Sequence, residues 1–183
     1  MKPAGEKGTN MQYDDIIRFH GHSCPGLAIG YRLSQAAMNA LAVTRSDDEE
    51  LVAVVESDAC GVDALQCVTG CTFGKGNLMY RDFGKHADSL FSRGKLQGVR
   101  VVFHGKGIPA ALRDDRVAYA ARIMEEQESA ILSVTRIPYE DLKQARVRKS
   151  VVCCRCGESV MDSRTKVSDA GHICIQCADH TRC

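Results

Sequence analysis

Cysteine is the residue whose spacing most clearly predicts chemistry in this sequence. The chain has 183 residues and 10 cysteines, six of which lie within the last 31 positions. The motif Cys153-x-x-Cys156 is followed, after 17 further residues, by Cys174-x-x-Cys177. Two cysteines three positions apart in a tight turn direct both sulfur atoms at one ion, and a second such pair completes the tetrahedral ligand set that zinc prefers. The spacing therefore predicts one structural zinc ion per chain, held by Cys153, Cys156, Cys174 and Cys177.

The residues around this motif indicate a small finger that needs its metal. Gly157 directly follows the first cysteine pair and suits a knuckle that requires a positive φ angle. We expect a hairpin within Val160–Val167 and a short helix that begins at Cys174. About 34 residues bury too little apolar surface to fold alone, so the ion should stabilise the finger. Cys154 offers another register for the first pair, and free or redox-active thiols are the alternative to a metal site.

A second group of chemically capable residues lies in the first half of the chain. The segment His20-Gly21-His22-Ser23-Cys24 places two imidazoles and a thiol at the start of a predicted helix. The helix dipole favours a thiolate there, and a histidine and a cysteine two positions apart can turn toward one metal ion. The segment Asp58-Ala59-Cys60-Gly61-Val62-Asp63 follows a predicted buried strand, where functional side chains are common. The ordinary structural alternative for His20 is a packed position on the apolar side of its helix.

A glycine-rich segment from Gln66 to Asn77 is the third part of this group. Its glycines permit close backbone approach, and its amides together with Lys75 are suited to an anionic group. It is not a nucleotide phosphate-binding loop, because it is one residue short and has glycine after its lysine. Cys67 and Cys71, four positions apart, leave a reactive thiol pair as an alternative. Each segment alone has an ordinary structural explanation, but together the three predict one shared cleft.

The cleft residues predict a second metal site whose chemistry stays open. Sites made of cysteine and histidine ligands select thiophilic metal ions. We therefore predict that His22, Cys24 and Cys60 bind Zn, Ni or Fe and leave one coordination position open for a substrate. Asp58 or Asp63 would orient a ligating imidazole or act as a base. The catalytic candidates are Cys24, Cys60, Asp58, Asp63 and Lys75. An inactive cleft with structural cysteines is the alternative, so the sequence leaves open whether the protein is an enzyme.

Short helices and strands must position these residues. The spacing of apolar residues, with glycine and proline marking the ends of the elements, predicts helices first and then a meander of strands. The predicted helices are Tyr13–His20, Pro25 to about Val43, Gly61–Val68 and Asp114–Glu128. The predicted strands are Leu51–Glu56, Leu78–Phe83, Ala87–Ser92, Val99–His104 and Ala130–Ile137. This order is typical of an α+β fold, with helices packed on an antiparallel or mixed sheet, followed by a treble-clef-like zinc finger. We expect a core domain at residues 1–140, a linker at 141–149 and the zinc finger at 150–183.

Composition and charge exclude several classes of protein. Hydrophobic residues make up 44% of the chain and charged residues 26%, which excludes a disordered or fibrous protein. The formal net charge is +1, so no overall attraction to nucleic acid or an anionic membrane is expected. No apolar run is long enough to span a bilayer, and Met1 to Met11 lack the apolar region of a secretory signal. We therefore expect a cytoplasmic protein with reduced cysteines.

The charge of the finger favours a protein partner over nucleic acid. Residues 150–183 have four basic and four acidic side chains, and they contain no Phe, Tyr or Trp on which a base could stack. The basic linker before the finger leaves a phosphate contact open. Direct nucleic-acid readout is therefore an alternative that the sequence does not favour.

Long motifs in both halves resemble the FmdE family, whose members are similar to the FmdE component of formylmethanofuran dehydrogenase. The motifs are GHSCPGLAIGYR, SDACGVDALQCVTGCTFGKGNL and CRCGE followed by CIQC. The resemblance implies an α+β core, a treble-clef zinc finger as in some members, and intertwined homodimers. It also implies that the family's site corresponds to His22, Cys24, Asp58, Cys60, Asp63, Gln66, Thr69, Cys71, Lys75 and Asn77.

The resemblance outlines a function without a settled reaction. It implies a metalloenzyme, or an accessory protein that handles a metal or cofactor, linked to formylmethanofuran dehydrogenase-type metabolism. The chain has no room for the molybdenum or tungsten pterin centre of that enzyme. The alternative is a regulatory or interaction protein that uses its finger for protein or nucleic-acid contacts and its core as a metal or small-molecule sensor. An iron–sulfur cluster is the alternative to zinc in the finger, although the CRCGE motif before a hairpin favours zinc.

Overall fold

The computed structural model describes residues 11–142, 144 and 148–179. They belong to two compact units, Met1–Gln144 and Ala145–Cys183. Predictions for the segment 1–10, for the basic linker residues 143 and 145–147, and for residues 180–183 fall outside the described part.

Helices and strands of the first unit occur largely where the sequence predicts them. The helices are α1 (Tyr13–His20), α2 (Pro25–Leu41), α3 (Gly61–Thr69), α4 (Arg116–Glu125) and α5 (Glu128–Ile131), with a 3-10 turn at Ala110–Asp114. The strands are β1 (Leu51–Val55), β2 (Leu78–Tyr80), β3 (Ala87–Ser92), β4 (Gln97–Phe103) and β5 (Leu132–Ile137). The predicted bounds of α1 and β3 are confirmed to the residue, whereas β2 ends three residues earlier than predicted.

Local capping explains where two of the helices begin. α2 starts with Pro25 after Cys24, whose Sγ accepts a hydrogen bond from the amide of Leu27 at 3.4 Å. The helix predicted at Asp114–Glu128 is shorter because Asp115 caps α4, its carboxylate accepting from two backbone amides. The chain then leaves the helical conformation, and α5 forms as a separate short turn.

In the first unit, the described strands form one five-stranded sheet in the order β2-β1-β3-β4-β5. β1 pairs in parallel with β2, and the other neighbouring pairs are antiparallel. Ala53 of β1 lies between Leu78 of β2 and Leu90 of β3. The predicted α+β class with a mixed sheet is confirmed. The simple meander is wrong at one point, because α3 connects β1 to β2 as a crossover between parallel strands.

Both faces of the sheet are covered near β1. Ala53 and Val55 belong to the main core, together with buried residues of α1 to α4. Val54 points to the opposite face, where it packs with Phe91 and Leu142. This double coverage explains why β1 reads as an uninterrupted apolar run and why each of its residues is buried.

A largely buried ion pair on the second face predicts how stability depends on pH. Nε and Nη2 of Arg100 donate to the carboxylate oxygens of Glu56 at 2.6 and 2.8 Å, and the Glu56 side chain is 8% exposed. The hydrogen bonds from Arg100 lower the pKa of Glu56 below its ordinary value of 4.5. The pair therefore stabilises the fold above pH 4.5, and this contribution is lost as the pH falls through the lower folded-state pKa.

Glu56→Gln is expected to lower the free energy of unfolding by about 2 kcal/mol at neutral pH. This is less than the cost of breaking a fully buried pair, because Arg100 is partly exposed. Denaturant unfolding of the unmodified protein and of Glu56→Gln should show the difference in the free energy of unfolding shrinking as the pH falls below 4.5. Glu125→Gln, an exposed control on α4, should change stability by less than about 0.5 kcal/mol. A difference that stays constant with pH would contradict the assigned role of Glu56.

The C-terminal unit contains two small hairpins and a helical turn. Its strands are β6 (Ser150–Val152), β7 (Ser159–Met161), β8 (Thr165–Ser168) and β9 (Gly171–Cys174), and its helix is α6 (Ile175–Ala178). β6 pairs with β7 and β8 pairs with β9, both antiparallel. The predicted hairpin within Val160–Val167 is wrong, since β7 pairs back onto β6 and a 3-10 turn at Asp162–Arg164 separates it from β8. The predicted helix at the second cysteine pair is confirmed.

Among residues 11–142 and 148–179, no helix is long and apolar enough to cross a lipid bilayer.

Candidate metal centres and an adjoining cavity

Four thiols of the C-terminal unit converge on one point. Cys153 directly follows β6 and Cys156 lies in the turn before β7, whereas Cys174 ends β9 and Cys177 lies in α6. The four Sγ atoms lie within 4.8 Å of one another. The structure thus brings together the four cysteines predicted from the sequence, in an arrangement that is positioned to bind a metal ion and consistent with a zinc site.

Backbone amides prepare this cysteine cluster for a cation. The amide of Cys174 donates to Sγ of Cys153, and the amide of Cys177 donates to Sγ of Cys174, each at 3.3 Å. Hydrogen bonds from backbone amides, first that of Cys174 and then that of Cys156, lower the pKa of the Cys153 thiol to about 6. Gly157 has a φ of 77°, and its amide closes the predicted knuckle on the carbonyl of Cys153 at 2.9 Å. A thiol that is ionised at neutral pH is what a metal ligand requires.

A second group of possible metal ligands lies where α1 gives way to α2. α1 ends at His20, Gly21 turns the chain with a φ of 97°, and Cys24 caps α2. This turn brings one nitrogen each of His20 and His22 and the Sγ of Cys24 within 4.8 Å of one another. The centroids of the two imidazole rings are 4.7 Å apart. We call this group the core cluster; it offers two imidazoles and a thiol to one ion, a donor set that suits thiophilic metals.

A carboxylate from α3 orients one imidazole of the core cluster. Nδ1 of His20 lies 2.7 Å from Oδ2 of Asp63, although the residues are 43 positions apart in sequence. Because a carboxylate accepts, Nδ1 carries the hydrogen of the neutral ring and Nε2 keeps its lone pair. Nε2 is buried and has no hydrogen-bond partner among the described residues. A histidine held by a carboxylate in this way is typical of metal ligands.

Close packing of α2 on α3 places Cys60 beside the core cluster. Cys60 directly precedes α3, and its thiol lies within hydrogen-bond reach of the Cys24 thiol. A Cβ atom on Gly61 would lie 3.0 Å from the carbonyl oxygen of Gly26 and 3.0 Å from the Cα of Gly30, so only glycine fits where the helices touch. Burial, and then the neighbouring Cys24, raise the pKa of Cys60. Cys60 thus contacts one residue of the core cluster without belonging to it.

A cavity of about 440 Å³ opens beside His20. Its polar and small residues are His20, Ser57, Asp58, Ala59, Cys60, Asp63 and Gln66, and its apolar and aromatic residues are Val55, Val62, Phe73, Leu78 and Tyr80. A concave, mostly apolar site of this size with a few converging polar groups is typical of small-molecule binding. Four residues predicted from the sequence to belong to a cleft therefore share this cavity: Asp58, Cys60, Asp63 and Gln66.

Two further predicted cleft residues lie in the core instead. Thr69 is fully buried, and its hydroxyl donates to the carbonyl of Leu65 at 2.7 Å. Cys71 is also fully buried, and burial raises the pKa of its thiol to about 11. Neither residue lines the cavity. Their polar atoms are used inside the fold, as those of buried Thr and Cys usually are.

Lys75 and Asn77 also lie away from the cavity. Nζ of Lys75 donates to the carbonyls of Asp47 and Asp48 at 3.3 and 3.2 Å. Asn77 is fully buried, and its Nδ2 donates to the carbonyls of Asp48 and Leu51, each at 3.0 Å. The structure therefore does not place Lys75 where it could hold an anion in the cavity, because its ammonium group ties the glycine-rich segment to the chain before β1.

His20 is the site residue that sequence reasoning missed. The apolar side of α1 predicts packing for this residue, yet its side chain joins Asp63 and the core cluster. A signal was present in the spacing, since His20 lies two positions before His22 and four before Cys24. Its partner on α3 has no local signal, because only the tertiary contact of α1 with α3 brings them together.

Residues 19–147 match the sequence model of FmdE, described as belonging to the molybdenum formylmethanofuran dehydrogenase operon. The chain belongs to the FmdE family. The matched stretch contains the core cluster and all residues of the adjoining cavity, so both lie within the FmdE domain. It ends before the four cysteines of the C-terminal unit.

A curated relative and a solved structure extend this assignment. The relative, from Archaeoglobus fulgidus, is named a probable S-adenosyl-L-methionine-binding protein and is 32% identical over 188 residues. The match covers 87% of this chain and 50% of that protein, so the chain spans about half its relative's length. The crystal structure of a tungsten formylmethanofuran dehydrogenase FmdE-like protein from Syntrophus aciditrophicus has a TM-score of 0.71 at 24% identity, covering 98% of this chain and 100% of that one. The two proteins share a fold.

Proposed function

We propose that this FmdE family member binds a transition metal ion at the core cluster and presents it to a small molecule in the adjoining cavity. The observation that carries the proposal is Nε2 of His20, which is buried and lacks a hydrogen-bond partner among the described residues. A buried polar atom without a partner is costly. Asp63 fixes the ring so that the lone pair of Nε2 is available, and a bound cation would remove the cost.

The donor set supports a thiophilic ion with an open coordination position. Two imidazoles and one thiolate suit Zn, Ni or Fe, and three protein ligands leave the fourth position for a substrate. A bound ion would supply Lewis acidity to a molecule in the cavity. Cys60 offers a second sulfur beside Cys24, and Asp58 offers a carboxylate that can accept a proton from that molecule. The proposal includes a role in formylmethanofuran dehydrogenase-type metabolism, as a metalloenzyme or as an accessory protein that handles a metal or cofactor.

Metal content per chain tests the core site. Elemental analysis of protein purified without chelator should give about two ions per chain, and His20→Ala should give about one. Asp63→Asn keeps all three ligands but loses the carboxylate that orients His20, so it should weaken binding of the core ion by about 10- to 100-fold. His86→Ala, which removes an exposed histidine outside the core cluster, is the matched control and should retain both ions.

The controls separate the two sites. Loss of the core ion should leave the ion of the C-terminal unit in place, since the sites share no ligand. One ion per chain in the unmodified protein, with the same value in His20→Ala, would show that the core cluster holds no metal. The proposal would also fail if His86→Ala and His20→Ala lost metal equally.

The C-terminal unit is proposed to be a treble-clef zinc finger with a structural ion. A knuckle between β6 and β7, the hairpin β8–β9 and the helix α6 follow one another, and each end of this arrangement supplies two cysteines. Four cysteine ligands close the coordination sphere, which suits a structural rather than a reactive ion.

One observation favours a second candidate function, in which the finger mediates contacts with another protein and the core acts as a sensor. Three apolar side chains of the C-terminal unit are strongly exposed: Val152, Met161 and Val167. A contiguous exposed apolar patch marks a protein contact, and this alternative requires that these side chains form one.

We further propose that the chain forms a homodimer. Light scattering of the full chain tests this, and a monomeric mass at micromolar concentration would exclude it.

A further inference from the structure

The charge of the cavity beside the core cluster limits what it can bind. Two carboxylates, Asp58 and Asp63, lie among the described residues that line it, and none of those residues is Lys or Arg. Lys75, the cation that the sequence predicts for an anionic ligand, donates to backbone carbonyls elsewhere. An anionic ligand would therefore meet two like charges without a basic partner in the cavity wall.

The arginine next to the cavity wall is engaged with another group. Arg81, which directly follows the wall residue Tyr80, donates to the carboxylate of Glu140 at 2.6 Å. Its charge is thus paired with a carboxylate, and the charge of the wall itself decides what the cavity attracts.

Two aromatic side chains stand at the open side of the cavity. Phe73 is 80% exposed and Tyr80 is 47% exposed, although both line the cavity. The hydroxyl of Tyr80 is hydrogen-bonded to Asp82. This bond, then burial and then the charge of Asp58, raise the pKa of Tyr80 to about 12. The phenol is therefore held neutral in a field of negative charge, to which Asp58 of the cavity wall contributes.

We propose that the cavity binds an organic cation that carries a flat apolar group, with the cationic end between Asp58 and the rings of Phe73 and Tyr80. Aromatic rings bind quaternary ammonium groups through their faces, and a nearby carboxylate adds a charge of opposite sign. The flat part would lie against the apolar wall at Val55 and Leu78. The inference deepens the proposed function, on which it rests for the assignment of the cavity as the ligand site.

A bound core ion would not reverse this preference. A divalent ion is offset by the thiolate of Cys24 and by the carboxylate of Asp63 behind His20, which leaves Asp58 as the uncompensated charge facing the ligand. The cavity thus attracts cations with or without the metal, so the inference and the proposed metal site can be tested separately.

Three probes that share a benzene ring but differ in charge test the inference. Calorimetric titration of the full chain with benzyltrimethylammonium, benzyl alcohol and benzenesulfonate should show the cation binding about tenfold more tightly than the alcohol, with no binding of the sulfonate. Asp58→Asn should lower the affinity for the cation several-fold and leave that for the alcohol unchanged. Asp47→Asn removes the same charge from an exposed position outside this cavity and should change neither.

Distinct results overturn each proposal. Equal affinity for the three probes, or no binding of the cation at millimolar concentration, would overturn the inference even if the core ion is present. A preference for the cation in protein that contains no core ion would support the inference while the proposed metal site fails. An equal loss of cation binding in Asp58→Asn and Asp47→Asn would show that the charge of the whole protein, and not this cavity, attracts the probe.

Discussion

Cys174→Ser is expected to unfold the C-terminal unit while the first unit stays folded. Among the described residues of that unit, the buried apolar cluster consists of Cys153, Cys174 and Cys177, with Cys156, Val160 and Ile173 packed against it. The metal ligands are therefore also most of the core. Binding of a structural zinc ion supplies roughly 10–16 kcal/mol in comparable fingers. Without it, the few remaining apolar contacts cannot offset the conformational entropy of the segment.

Hydrogen exchange measures this outcome region by region. Amides in β6 to β9 should lose their protection in Cys174→Ser, whereas those of α2 should keep it, and the metal content should fall by one ion per chain. Cys154→Ser is the matched control, since Cys154 is exposed and lies outside the cysteine cluster. Protection of β8 and β9 that survives in the metal-free variant would show that the unit folds without its ion.

Gly30→Ala is expected to lower the free energy of unfolding by about 3 kcal/mol or more. A Cβ atom at this position would collide with the backbone of Gly61, including its carbonyl oxygen, and a backbone atom cannot rotate away as a side chain can. α2 and α3 would have to separate, which would also move Cys24 away from Cys60. In an exposed helix the same change would stabilise the protein by up to about 1 kcal/mol, so the sign of the effect is itself informative.

Denaturant unfolding with a metal titration checks the second prediction. Gly30→Ala should reduce both the unfolding midpoint and the affinity of the core ion. Gly74→Ala is the control, because nothing lies within 4 Å of a Cβ at that position and its φ is not positive. A stabilised Gly30→Ala variant would mean that α2 and α3 do not touch through their backbones at this point.

Much of the fold follows from local patterns that the sequence displays. The run Leu51–Val55 predicts a buried strand, because only a strand covered on both faces is apolar throughout. Proline after Cys24 marks the start of α2, and the two Cys-x-x-Cys pairs predict which thiols converge. These features are local, or they reflect the strong geometric demand of one ion for four ligands.

The rest depends on contacts between distant segments. Apolar residues alone do not predict which strands of the C-terminal unit pair, since β7 pairs with β6 across the knuckle. Glycine at position 171 is the sequence signal that could have located the β8–β9 hairpin, because its φ of 111° there favours glycine. Similarly, nothing in the sequence distinguishes Lys75, which binds backbone carbonyls, from a lysine that binds a ligand. The polar groups of the glycine-rich segment bond within the fold, and only their partners in space reveal this.

β2 forms an edge of the described sheet as well as part of the cavity wall. It has three residues, lies at the edge of the described sheet next to β1, and carries Leu78 and Tyr80 of the cavity wall. Releasing so short an edge strand requires far less free energy than opening the core, and such local motions occur on the microsecond to millisecond timescale. Fraying of this strand would open the cavity at the sheet edge, which gives a bound molecule a route of exchange that leaves the core cluster in place.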